Sequence, residues 1–372
     1  MPTWGDRFSR FRYFFVAAKG NNHAVQWGRG RYVLAFHFSP DMFAQRIDVD
    51  GHEVLRFHLI ADYFMLAQSI VNSNWDIMAK SPIVIWGAGA IGGCVGAFLA
   101  REGEDVLFVD RAADHVSALN ETGIRISGAV ADFTTTARAV LVDSVEGTFD
   151  TIFLCVKGQD TVNALKSLKP HLSDEGCVVS LQNGLNEPVI ADFIGAERTV
   201  GAFINFGADY HGPGHIFYGG RSAVVVGEID GSLRARTKRL HALLKIFEEN
   251  AVLTENIAGH LWSKMAYISL LFATALVDAT IDEVMGAEPH RPLLEVLARE
   301  VVAVAEAKGL KLESFDPFEP SGFTKDAKAV ATTAAFDKMV DYRQRSDKKY
   351  SGMWRDIAVR KRKTEVNPVS YT

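Results

Sequence analysis

Residues 82–110 read PIVIWGAGAIGGCVGAFLAREGEDVLFVD, and the order of residue types in this stretch decides the fold. Pro82–Trp86 is a short continuous apolar run ending in a turn signal, the mark of a strand buried on both faces. Gly87-Ala88-Gly89-Ala90-Ile91-Gly92 follows at once and opens a helix over residues 90–101. In that setting the first glycine permits a tight turn, the second leaves room for a pyrophosphate, and the third lets the helix pack close to the sheet. The N–H groups at the helix N-terminus then face the phosphates, which makes all six residues 87–92 candidates for binding a dinucleotide. Residues 105–110 form the second strand, and Asp110 lies 18 residues past Gly92. A carboxylate there accepts hydrogen bonds from ribose hydroxyls and favours NAD. Arg111 is the next residue and suits the 2′-phosphate of NADP, so two neighbours point to different cofactors.

Working outward, strands at 151–156 and 177–181 with a helix at 161–168 between them continue a parallel series. Short strands follow at 200–206, 215–218 and 223–227, then a helix at 233–250. Strands alternating with helices predict a doubly wound α/β sheet of the Rossmann type for residues 78–256. Residues 257–372 predict an all-helical domain for substrate and catalysis, with helices at 257–279, 291–308, 326–340 and 353–363 and a proline-bearing loop at 316–321. Residues 1–77 are rich in Phe, His, Trp and Arg and carry no motif tied to chemistry. One amphipathic helix fits residues 57–71. Because Met78 stands directly before the first strong strand, residues 1–77 read as an extension of unknown role and Met78 as a candidate native start.

The chain of 372 residues has room for two packed cores, and its net charge of −5 gives no reason to expect nucleic acid. A basic run at Arg355, Arg360, Lys361, Arg362 and Lys363 reads as a solvated helix face or an anion site. Three cysteines without a CxxC and 11 histidines without paired spacing predict no metal and reduced thiols. No apolar run reaches the roughly 18 residues that cross a membrane. Residues 1–19 lack the apolar core of a signal peptide, so a cytoplasmic protein is expected.

Six short segments, in order, resemble the ketopantoate reductases (2-dehydropantoate 2-reductases). They are IVIWGAGAIGG at 83–93, the FVDR that ends strand two, CVKGQDT at 155–161, LQNGLN at 181–186, HLWSKM at 260–265 and MWRDIAVRKRKTEV at 353–366. The resemblance implies that NADPH, with NAD as the alternative, meets a 2-oxo acid in a cleft between the two domains. It places Lys157 and Asn183, which follow neighbouring strands, near the nicotinamide and the substrate. Lys264 enters an otherwise apolar helix, whose next charge is Asp278. The resemblance makes it the general acid: hydride passes to the carbonyl carbon while Lys264 protonates the oxygen, giving a 2-hydroxy acid. Desolvation in the cleft would make its ammonium a better acid near neutral pH. Glu365 would orient Lys264 or bind a substrate hydroxyl.

The chain also departs from the family pattern. Ile268 and Phe272 stand where asparagines usually follow the lysine by one and two turns, with Ser269 and Thr274 nearby as substitutes. Gly352 replaces a serine, which leaves Ser351 as the substrate-binding candidate, and the chain stops at Thr372 where relatives continue through another helix. Each lost hydrogen bond to a buried substrate group costs about 1–3 kcal/mol, so a bulkier or more apolar substrate is expected. Two other readings stand beside this one: another two-domain hydroxyacid or opine dehydrogenase, and a dinucleotide-binding protein without catalysis. The sequence leaves a homodimer open.

Overall fold

The computed structural model describes residues 81–346 and 349–366, together with four strands near the start of the chain. The chain divides into two compact units, Met1–Ala79 and Lys80–Thr372. In the first, β1 (Ala24–Arg29) pairs with β2 (Tyr32–His37), and β3 (Ala44–Val49) with β4 (His52–Phe57), both antiparallel. The sequence reading assigned no strand here, although Asp50-Gly51 between β3 and β4 is a strong hairpin signal. Beyond Phe57, the helix expected at 57–71 falls outside the described residues.

The second unit opens with β5 (Ile83–Trp86), α1 (Ala90–Arg101), β6 (Val106–Asp110) and α2 (Ala113–Thr122). Then come β7 (Ile124–Ser127), β8 (Phe133–Thr135), β9 (Arg138–Leu141), β10 (Phe149–Leu154), α3 (Thr161–Leu168), β11 (Leu172–Ser180), α4 (Glu187–Ile194) and β12 (Thr199–Ile204). The series closes with β13 (Gly207–Gly212), β14 (His215–Gly220), β15 (Val224–Glu228), α5 (Ala235–Phe247) and β16 (Val252–Leu253). The main sheet runs β16-β15-β12-β11-β10-β5-β6-β9, with its six strands from β12 to β9 parallel. The expected doubly wound sheet is present, and β15, a strand whose direction its sequence leaves open, lies antiparallel to β12. No helix crosses over between them; the chain makes only the β13–β14 hairpin, so it re-enters from the edge it left. That hairpin joins β7 and β8 in a second, four-stranded sheet that the sequence reading did not contain.

Alternate residues of each central strand face opposite layers, as period-two side chains must. Ile83, Ile85, Phe108 and Phe153 pack with Phe98 of α1 and Leu244 and Phe247 of α5, while Val84, Trp86, Ile152 and Leu154 pack with Leu165 and Ile190 of α3 and α4. The remaining helices are α6 (Ile257–Ala273), α7 (Ile281–Gly286), α8 (Arg291–Ala307), α9 (Ala329–Gln344) and the single turn α10 (Gly352–Trp354). They enclose a separate core around Tyr267, Leu294, Phe318 and Phe336. The helix expected at 353–363 is α10 followed by one wide turn over Arg355–Val359. Among the described residues no helix is long and apolar enough to cross a membrane.

Candidate active site

Because β12, β11, β10, β5 and β6 are parallel, their carboxyl ends lie along one edge, where ligands of open α/β sheets bind. The glycine turn occupies the middle of this edge. Gly87 has φ +100°, and a Cβ there would stand 2.9 Å from the Val156 amide nitrogen at the end of β10. A Cβ on Gly92 would stand 2.1 Å from the Gly87 carbonyl oxygen, so only glycine lets α1 sit this close to β5. Gly89 differs from both: a Cβ there would meet nothing within 4 Å. The protein does not fill the space beside Gly89, and α1 carries no acidic residue in its first turn to compete with a phosphate. The cradle therefore fits a dinucleotide.

Asp110 ends β6 and spans the turn from below. Its Oδ2 accepts from the Ala88 amide at 2.9 Å and its Oδ1 from the Ala112 amide at 3.0 Å. A carboxylate has about four lone-pair sites, so two remain for ribose hydroxyls. Arg111 is 80% exposed and pairs with Asp160 at 3.3 Å. His115, missed by the sequence reading, holds the same loop: its Nδ1 accepts from the Gly214 amide, so its Nε2 donates to the Ala88 carbonyl, each at 2.9 Å. A lone histidine on a helix offers no signal for that role.

Lys157 follows β10 at this edge, as expected, but its charge is already engaged. Its Nζ lies 2.6 Å from Oδ2 of Asp356 and 3.6 Å from Oε2 of Glu365. Asp356 is fully buried, and Arg360 and Arg362 bond its other oxygen at 3.2 and 2.9 Å. Burial alone would raise the Asp356 carboxyl; the hydrogen bonds from Lys157 and Arg362 outweigh it and hold the group below its ordinary range. Residues 360–363 of the basic run are exposed, but part of the run is engaged by carboxylates. Arg360 and Arg362 neutralise Asp356, and Arg355 pairs with Asp209. Glu365, expected to orient Lys264 or bind a substrate hydroxyl, stands beside Lys157. Ser351 is buried, and its hydroxyl caps α10 by accepting from the Trp354 amide at 3.1 Å.

Lys264 is 5% exposed on α6, where its Nζ donates to the carbonyl of Ile204, the last residue of β12, and lies 5.4 Å from the Phe203 ring centre. The lysine is thus brought to the carboxyl edge that carries the glycine turn. Asn183, just past β11, is exposed at the same edge and is followed by Gly184 at φ +92°. The Ser269 and Thr274 hydroxyls donate to the Ala266 and Leu271 carbonyls of α6 at 2.6 and 2.9 Å, and Ser269 lines the same cavity as Phe272. Phe272 lines a cavity of about 730 Å³ with Leu261, Trp262, Met265 and Glu187. Glu187 is a further residue the sequence reading passed over, since a glutamate opening a helix is ordinary.

The family model for ketopantoate reductase PanE/ApbA matches residues 83–231, and its C-terminal counterpart matches residues 256–370. The 2-dehydropantoate 2-reductase of Streptococcus pyogenes serotype M1 is 28% identical over 234 residues, 62% of this chain and 75% of that protein. The Pyrococcus abyssi enzyme of the same name is 35% identical over 186 residues, 49% of this chain and 59% of that one. Among solved structures, D-mandelate dehydrogenase with NADH and anilino(oxo)acetate superposes with TM-score 0.68 at 21% identity, covering 78% of this chain and 89% of the other. A PanE/ApbA family ketopantoate reductase from Ralstonia eutropha gives TM-score 0.65 at 23% identity with the same coverage. These structural likenesses establish the fold.

Proposed function

The chain belongs to the ketopantoate reductase family, and from that premise we propose that it reduces a 2-oxo acid to the 2-hydroxy acid with Lys264 as general acid. The observation that carries this reading is the burial of Lys264 against the end of β12, on the edge that also holds the glycine turn. Bound NAD(P)H would supply the hydride. Residues 87–92 would hold its pyrophosphate, Asp110 its ribose and Arg111 a 2′-phosphate, the last favouring NADPH. Lys264 polarises the substrate oxygen and gives it a proton, a contribution of about 10²–10⁴ in rate for a positioned acid. Asn183, exposed at the strand edge, hydrogen-bonds cofactor or substrate near the carbonyl. Lys157, with two carboxylates beside it, acts mainly by fixing the segment that carries Asp356 and Glu365. Glu365 is left to orient polar groups of the substrate beside Lys157. Ser351 accepts from the Trp354 amide and keeps its hydroxyl proton to donate to the substrate's carboxylate.

One observation favours a substrate other than ketopantoate. Ile268 is buried and Phe272 lines the cavity with Leu261, Trp262, Met265 and Ser269, so the positions of the two missing asparagines offer apolar surface to a side chain. A 2-oxo acid with a branched or aromatic side chain suits it better than one bearing a hydroxyl. The test is a screen for 2-oxo-acid-dependent oxidation of NADPH and NADH, with ketopantoate and bulkier apolar 2-oxo acids side by side. Turnover of the apolar acids with higher kcat/KM than ketopantoate is expected. Faster turnover of ketopantoate would refute the substrate assignment, and cofactor binding without oxidation by any 2-oxo acid would refute the reductase itself.

A further inference from the structure

Arg111 follows β6 and Asp160 lies in the turn that follows β10, and these two strands flank β5 with its glycine turn. The two side chains meet: Nη1 of Arg111 lies 3.3 Å from Oδ1 of Asp160, with the arginine 80% and the aspartate 31% exposed. Asp160 occupies the N-cap of α3, where an aspartate ordinarily accepts from the amides of its own helix. It makes no such bond, and its carboxylate turns to Arg111 instead. The backbone that presents it is held firmly. The Asp160 amide donates to the Lys157 carbonyl at 2.8 Å, and Gln182 Nε2 donates to the Val156 carbonyl and the Thr161 hydroxyl, each at 2.8 Å. Arg111 thus has one carboxylate before it in the chain, Asp110, and a second paired with it from the loop after β10.

We propose that Asp160 is a specificity-determining residue that competes with the 2′-phosphate of NADPH for Arg111 and so sets how the chain chooses between NADPH and NADH. This rests on the reading of residues 87–92 and Asp110 as the dinucleotide site and is independent of the role of Lys264. NADH presents ribose hydroxyls, which need acceptors, and Asp110 keeps about two lone-pair sites for them. Arg111 then stays with Asp160. NADPH brings a phosphate to the same ribose, and its affinity depends on a guanidinium whose fork takes phosphate oxygens in pairs. Asp160 engages that fork first, so the ion pair must open before the phosphate is held. The chain accordingly binds both cofactors with small discrimination, and release of Arg111 makes NADPH the preferred one. An exposed pair of this kind adds little to stability, so it is free to serve selection.

The test is calorimetric titration of the full chain with NADPH and with NADH, in the wild type, Asp160→Asn, Arg111→Ala and the double variant. Asp160→Asn should tighten NADPH roughly fivefold, leave the NADH Kd within about twofold and leave the thermal midpoint unaltered. Arg111→Ala should loosen NADPH alone. In that background Asp160→Asn should change the NADPH Kd by no more than about twofold, because the aspartate acts through the arginine. A ratio of the two Kd values that Asp160→Asn leaves unaltered overturns the proposal. So does an equal gain for both cofactors, or a gain that persists without Arg111. Failure of the wild type to bind either cofactor is a different result, and it overturns the dinucleotide reading of the glycine turn together with the proposal. Should Asp160→Asn not fold, Asp160→Ser keeps a favoured N-cap residue on α3 and reads the same ratio.

Discussion

Three glycines of one turn serve three separate needs, and the space around each shows which. Gly92 is pressed against the Gly87 carbonyl, so Gly92→Ala must force α1 from the sheet, at a cost of about 1–3 kcal/mol or more. Gly89 faces open space and has φ −69°, an ordinary angle, so the protein itself tolerates a side chain there. Gly89→Val should therefore leave the thermal midpoint unchanged within a couple of degrees while weakening NADPH at least tenfold by calorimetry. Equal losses of stability in both variants would mean that Gly89 is structural and that the cradle is misread. This much was legible in the sequence, because a phosphate turn needs those residue types at those spacings. His115 and Asp356 were not legible. Their roles come from contacts between residues distant in the chain, such as the 2.6 Å pair between Lys157 and Asp356, and no local spacing signals them.

At the scale of elements, the segment from Ser351 to Glu365 shows why the helix expected at 353–363 breaks. Its helical pattern is real for one turn, capped by Ser351. Beyond it the backbone must wrap so that Arg360 and Arg362 both reach Asp356, and Lys361 takes φ +50° to allow this. The pairing of a fully buried carboxylate outweighs helix propensity, which amounts to less than about 1 kcal/mol per residue. Replacing it should be expensive: Asp356→Asn leaves three cations facing a neutral amide and is expected to cost about 3 kcal/mol in urea unfolding. The pH dependence follows from the direction of its shift. The folded-state pKa lies below the ordinary value of 3.8, so the stabilisation is complete above that value and disappears as pH falls through the folded pKa. Acid unfolding should accordingly begin at higher pH for proteins that retain Asp356 than for Asp356→Asn when each is normalised to its neutral stability. Parallel acid limbs would show that Asp356 contributes nothing through its charge. The antiparallel β15 was illegible for a related reason, since strand direction depends on the path between strands and not on the strand's own residues.

For the molecule as a whole, the boundary between the compact units falls in the chain after Ala79, one residue past the Met78 singled out from the sequence. A chain beginning at Met78 is expected to keep the thermal midpoint of the catalytic unit and its kcat within about twofold of the full chain; a collapse of either would give residues 1–77 a part in the fold or the site. The doubly wound sheet and the helical region were readable because hydrophobic period and turn residues are local quantities. The substrate was not, because the side chains that would face it come together only in the folded chain. The role proposed for Lys264 is that of proton donor in a nicotinamide-dependent reduction. Its most direct test is the rate of NADPH oxidation by the best 2-oxo acid substrate, compared between the wild type and Lys264→Ala with cofactor affinity measured alongside. A loss of kcat/KM of about 10²–10⁴ at unchanged NADPH affinity is the result this account predicts; oxidation by Lys264→Ala at the wild-type rate would contradict it.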